Sequence, residues 1–140
     1  MRYGTVRGLL LAIVVLLTGF GACEAAEDMR FVDAEYDTGY YVDAASIVRL
    51  SDAEREAMVA VIKAAENRRY LYRTRFNRQA GTYQIFSAQV QIYDTKETLR
   101  TTTGMDTPQP YTPTSPMRSV VDFIEELLVE KQTGTSGTGG

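Results

Sequence analysis

Histidine is missing from all 140 residues, and cysteine occurs once, at Cys23. Without histidine the usual general base, the catalytic triads and the commonest metal ligand are gone. A lone cysteine allows no internal disulfide and no CxxC pair, so a small domain must hold together by packing. Glycine-rich phosphate loops and internal repeats are missing too. Positive charge is scarce: after Cys23 thirteen basic residues face all 18 acidic ones, a balance of −5. That balance disfavours a nucleic-acid partner or a strongly anionic membrane surface. No nucleic acid, metal or cofactor is expected.

The one long apolar run lies at the start. Arg2 and Arg7 precede Leu9 to Phe20, which only Thr18 and Gly19 interrupt, and Gly21-Ala22-Cys23 follows. A run of about twelve apolar residues is too short to cross a ~30 Å hydrocarbon core comfortably, so residues 1–25 read as a secretory signal. The protein is expected to be exported, to the periplasm, the outer membrane or the cell surface. Two processing outcomes compete. Lipoprotein maturation would attach a lipid to Cys23 and tether the chain to a membrane, although Phe20 stands where a lipobox usually has leucine. Plain cleavage at Cys23-Glu24-Ala25 would remove the cysteine.

The remainder reads as an acidic lead-in, a strand-rich middle, a proline-rich loop, a helix and a loose tail. Arg69 to Phe76 alternates with Tyr70, Tyr72, Thr74 and Phe76 on one face and Leu71, Arg73 and Arg75 on the other. The turn residues Asn77 to Gly81 lead into a second long strand, Thr82 to Tyr93, which predicts an antiparallel hairpin. Asp94 to Glu97 is the next turn, and Thr98 to Thr102 a shorter threonine-rich strand. Upstream, Arg30 to Tyr36 and Tyr40 to Asp43 read as strands joined through Asp37-Thr38-Gly39. Ser51 to Glu66 is ambiguous: Ser51 to Glu54 looks like a capping box, yet Met58 to Ile62 is β-branched and apolar. A turn or short helix at Ser51 to Glu56, then a strand from about Ala57 to Ala64, is expected.

Proline is confined to Pro108, Pro110, Pro113 and Pro116, which preclude regular structure until the last of them. Ser115 is a suitable N-cap and Pro116 a suitable first helical residue. Met117, Val120, Val121, Ile124, Leu127 and Leu128 then form one apolar stripe, predicting an amphipathic helix to about Val129. Residues 131–140 close the chain as a Gly/Thr/Ser tail expected to be disordered.

Tyr40-Tyr41-Val42-Asp43-Ala44-Ala45-Ser46-Ile47 resembles the Y-[YI]-[VI]-D-x-x-S-I signature of surface-adhesin E-like domains. The order that follows is also similar: a tyrosine-bearing strand, a long strand, the Tyr93-Asp94 turn, a proline-rich loop, and Ser115-Pro116-Met117 leading into a terminal helix. The resemblance covers roughly Phe31 to Leu128, within a domain placed at residues 30–130. It implies an exported bacterial protein of α+β class, with a single antiparallel sheet of about six strands and a C-terminal amphipathic helix packed on one face. Many relatives tie sheet to helix through two cysteines. The comparable stretches here, Ile85 to Val90 and Phe123 to Leu128, contain none.

No catalytic constellation emerges. Asp33 to Gly39 resembles the opening of a calcium loop, but glycine falls at position 7 rather than 6 and position 12 is Ala44, so a solvated strand edge is expected. Glu125-Glu126 lies on the terminal helix, where exposure is the ordinary state. Arg68, Arg69, Arg73, Arg75 and Arg78 cluster among Tyr70, Tyr72 and Phe76. Arg73 and Arg75 would share a strand face as a basic strip, able to dock an acidic partner, a sulfated glycan or a lipid headgroup. Alternatively they pair with local acids and keep a sheet edge soluble. Three functional classes follow: a non-enzymatic binding module of the cell envelope, contacting an unknown protein or acidic ligand; an envelope accessory or structural protein that binds another bacterial component; and, least supported, an enzyme.

Overall fold

The structure, a computed structural model, describes residues 26–137. Residues 1–25, on which the expected secretory signal and the two expected outcomes at Cys23 fall, and the last three residues lie outside the described residues. Eight strands form one antiparallel sheet: β1 (Met29–Glu35), β2 (Thr38–Asp43), β3 (Val48–Arg49), β4 (Glu54–Lys63), β5 (Arg68–Asn77), β6 (Thr82–Ile92), β7 (Thr98–Thr103) and β8 (Gln109–Pro110). The main order is β1-β2-β4-β5-β6-β7, with short β3 on β4 and short β8 on β6. Among the described residues one α-helix, α1 (Pro116–Gly137), completes an α+β fold.

The helix lies against β1 and β2. Val120, Val121 and Ile124 are buried with Val42, Ala57, Val59 and Phe76, and Met117, Phe123 and Leu128 pack at the margin. Directly opposed residues share a face, so Val42, Val59, Tyr72 and Ala88 mark the helix side. Tyr41, Ala60, Leu71 and Gln89 mark the other. The Ser115 hydroxyl accepts the Met117 N–H at 3.2 Å, as its capping position requires.

β4 explains why Ser51 to Glu66 resists reading. It is central, with Arg55, Ala57, Val59 and Val61 buried on the helix side; Met58, Ala60 and Ile62 on the opposite face are apolar as well, though only Ala60 is buried there. Apolar residues on both faces hide the alternation that marks a half-buried strand. The capping-box serine does its local work without a helix: Ser51 Oγ accepts the Glu54 N–H at 3.1 Å, and the strand begins there, three residues before the expected start.

The signature residues also have structural duties. Asp43 Oδ1 accepts the N–H groups of Ala45 and Asp28, at 3.0 and 2.9 Å, capping a 3-10 turn at Ala44–Ser46 and holding the entry to β1. Ser46 Oγ donates to Asp43 O and accepts from Met58 N, fastening that turn to β4.

The C-terminal segment differs from expectation. Helix α1 does not stop near Val129 but runs to Gly137, so much of the expected loose tail is helical. Each added residue extends an existing ladder at little nucleation cost. The Thr133 hydroxyl also donates to the carbonyls of Val129 and Glu130.

Candidate functional site: an arginine pair on the open face

β5 places Arg73 and Arg75 on the sheet face that the helix leaves open. Both are partly exposed, with 53% and 38% of their side-chain surface accessible. Across the ladder from Arg75 stands Glu56, mostly buried, whose carboxylate takes Arg73 Nε on one oxygen and Arg75 Nη2, at 3.4 Å, on the other. Two guanidinium groups therefore share one carboxylate, leaving a net positive charge.

An aromatic floor supports the pair. Arg73 pairs with Ser87 and Thr74 with Ile85, so Phe86 is an extra residue in β6, a bulge. The bulge turns the ring under both cations, 5.9 Å from the Arg73 guanidinium carbon and 4.7 Å from that of Arg75. Arg75 Nε is buried and makes no hydrogen bond to protein. Planar guanidinium groups that keep part of their surface accessible can take a carboxylate or sulfate in two-point fashion.

The wider arginine cluster does not form one strip. Arg69 is 2% exposed and bonded to Gln91 and Glu27, which draws the N-terminal segment over the open face. Arg68 donates to the Asn67 carbonyl at the end of the β4-β5 hairpin. Arg78 reaches the helix instead, with Nη1 3.4 Å from Glu125. Asp33, Glu35 and Asp37 lie on and around the β1-β2 turn. Among the described residues no group of three acidic side chains could hold a metal ion. Asp33 accepts a hydrogen bond from Ser119 of the helix at 2.9 Å.

Two tyrosines on the helix side have perturbed hydroxyls. Burial pushes the Tyr72 phenol above its ordinary value, aided by Tyr70 and Tyr40, and burial followed by Glu35 and Asp33 does the same at Tyr40. Both stay neutral at physiological pH, without the anionic character a tyrosine base would need.

A second charged region was not foreseen. Arg49 on β3 stands directly opposite Arg55 on β4, and Arg78 and Lys131 line the same groove beside α1. Arg78 and Lys131 lie far from Arg49 and Arg55 in sequence, and only the pairing of two-residue β3 sets Arg49 directly opposite Arg55. A cross-strand register for so short a strand has no sequence signal.

Comparison of the chain with family models finds no match. Comparisons with curated proteins and with solved structures find no match either.

Proposed function

We propose that the chain is an exported, non-enzymatic binding protein of the bacterial cell envelope, similar to surface-adhesin E-like proteins, that docks an acidic partner on its open sheet face. The observation carrying this reading is the Arg73/Arg75 pair on the Phe86 floor, half exposed and only partly neutralised by Glu56. The export signal read from residues 1–25 sets the compartment, and the missing histidine argues against acid-base chemistry. The open antiparallel sheet with one C-terminal helix agrees with the fold that the resemblance implies.

The test has two arms. An Arg73→Ala/Arg75→Ala variant, which strips the mostly buried Glu56 of both partners, should still fold though melting below wild type, and should lose affinity for an acidic partner at low salt, with the difference shrinking as salt rises. Undiminished binding by the variant would refute the role of the pair. Protease shaving of intact cells, with mass spectrometry of the mature N-terminus, reads surface exposure and the fate of Cys23 together. Binding confined to the bacterium's own envelope proteins, with no surface exposure, would make the protein an accessory component instead.

A further inference from the structure

On the helix side of the sheet, four cations line one groove. Arg49 and Arg55 are direct cross-strand partners, a like-charge arrangement that destabilises a sheet unless something neutral or negative intervenes. Arg78 and Lys131 join them along an open groove of about 790 Å³, the size range of small-molecule sites.

The negative charge available inside the groove is one carboxylate. Glu125 accepts Arg55 Nε at 2.9 Å and faces Arg78 Nη1 at 3.4 Å. Asp52, fully exposed, holds Arg49 at 2.8 Å from outside the lining. Counting both acids, the three arginines alone retain a net +1. Arg55 is 3% exposed and locked in place, its Nη1 donating to the carbonyls of Ser51, Asp52 and Glu54. Arg49 and Arg78 are about half exposed, with 48% and 46% of their side-chain surface accessible. The helix supplies an apolar wall, Leu128 and Val129, and Val129 is 56% exposed.

From this we infer a second binding site, for a small organic oxyanion: a carboxylate or phosphate monoester head held by Arg49 and Arg78, with an apolar body lying on Leu128 and Val129. The buried Arg55–Glu125 pair sets the position of Arg78, and the half-exposed guanidinium groups of Arg49 and Arg78 take the head. Guanidinium forks suit both head groups, since each presents two oxygens in a plane. The site is on the opposite side of the sheet from Arg73 and Arg75 and does not depend on them.

Calorimetric titration of the purified protein with octyl phosphate, octanoate and inorganic phosphate tests the site. Both octyl anions should bind, and the tighter of the two identifies the head group. Inorganic phosphate should bind about tenfold more weakly or worse, lacking the apolar body. An Arg49→Gln/Arg78→Gln variant should lose about tenfold or more in affinity, while Arg55 and Glu125 keep their pairing. Val129→Ser should erode the advantage of the octyl probes over inorganic phosphate without changing the melting temperature. The Arg73→Ala/Arg75→Ala variant should bind them as wild type does, which separates this site from the open face. Absence of binding by both octyl anions, equal binding of neutral octyl glucoside, or wild-type affinity in the glutamine double variant would overturn the inference.

Discussion

Gly104→Ala is expected to weaken the whole sheet edge that carries the arginine platform. Just past β7, Gly104 N donates to Phe86 O at 3.1 Å and Met105 N to Ile85 O at 2.7 Å, pinning the bulge from the outside. Gln84 Nε2 adds a third bond, to Met105 O at 3.1 Å. A Cβ at residue 104 would fall inside the contact radius of the Ile85 carbonyl oxygen and 2.7 Å from the Phe86 carbonyl carbon. Those are backbone atoms and cannot rotate aside, so the strands must part. Losing three bonds worth ~0.5–1.5 kcal/mol each gives about 1.5–4.5 kcal/mol. The alanine recovers ~0.4–1 kcal/mol by restricting the unfolded chain, leaving a net loss of about 0.5–4 kcal/mol. For a domain of this size that is a drop of about 2–16 °C in melting temperature, measured by circular dichroism. Hydrogen exchange should quicken at Met105 first. Gly134→Ala is the control: its Cβ meets nothing within 4 Å, and a helical alanine should be neutral or stabilising by at most ~1 kcal/mol. A Gly104→Ala protein melting with wild type and keeping Met105 protection would refute the close approach.

Three further outcomes are expected. Ile124→Asp, at a site 1% exposed in the core, should cost about 4 kcal/mol or more through lost burial and an unpaired charge, and thermal melting that matches wild type would show the helix docked elsewhere. Arg55→Ala should cost about 3–5 kcal/mol in chemical denaturation, because it opens a buried pair, whereas Arg73→Ala, half exposed, should stay within about 0.5 kcal/mol; equal effects would contradict the burial difference. The hydrogen bonds from Arg30 hold the Asp28 carboxyl below its ordinary value, so this pair stabilises the fold above the unfolded carboxylate range and ceases to as pH falls through the depressed value. Arg30→Gln should raise the Asp28 midpoint in an NMR titration, and its stability difference from wild type should vanish in acid; an unmoved midpoint would refute the pairing.

Local chemistry determined much of this protein by itself. The alternation of Tyr70, Leu71, Tyr72 and Arg73 fixes which side chains face the helix, because a strand has a period of two whatever surrounds it. The Ser115-Pro116 start and the stripe through Val120, Val121 and Ile124 place the helix and its buried side, because capping and amphipathicity act within a few turns. That Arg73 and Arg75 share a face was legible for the same reason. Glu56 as their common counter-ion was not, nor Phe86 as their floor: the first depends on the β4-β5 register and the second on a bulge, and both are set by pairing between neighbouring strands rather than within one strand. β4 could not be assigned cleanly, because Met58, Ala60 and Ile62 on the open face are as apolar as Ala57, Val59 and Val61 on the helix face, which hides the alternation that marks a strand. Tertiary structure alone decided that Arg69 is buried while Arg73 is exposed, and that Arg49, Arg55, Arg78 and Lys131 meet around Glu125. Charges far apart along a chain acquire a shared field only when the fold brings them within a few ångströms.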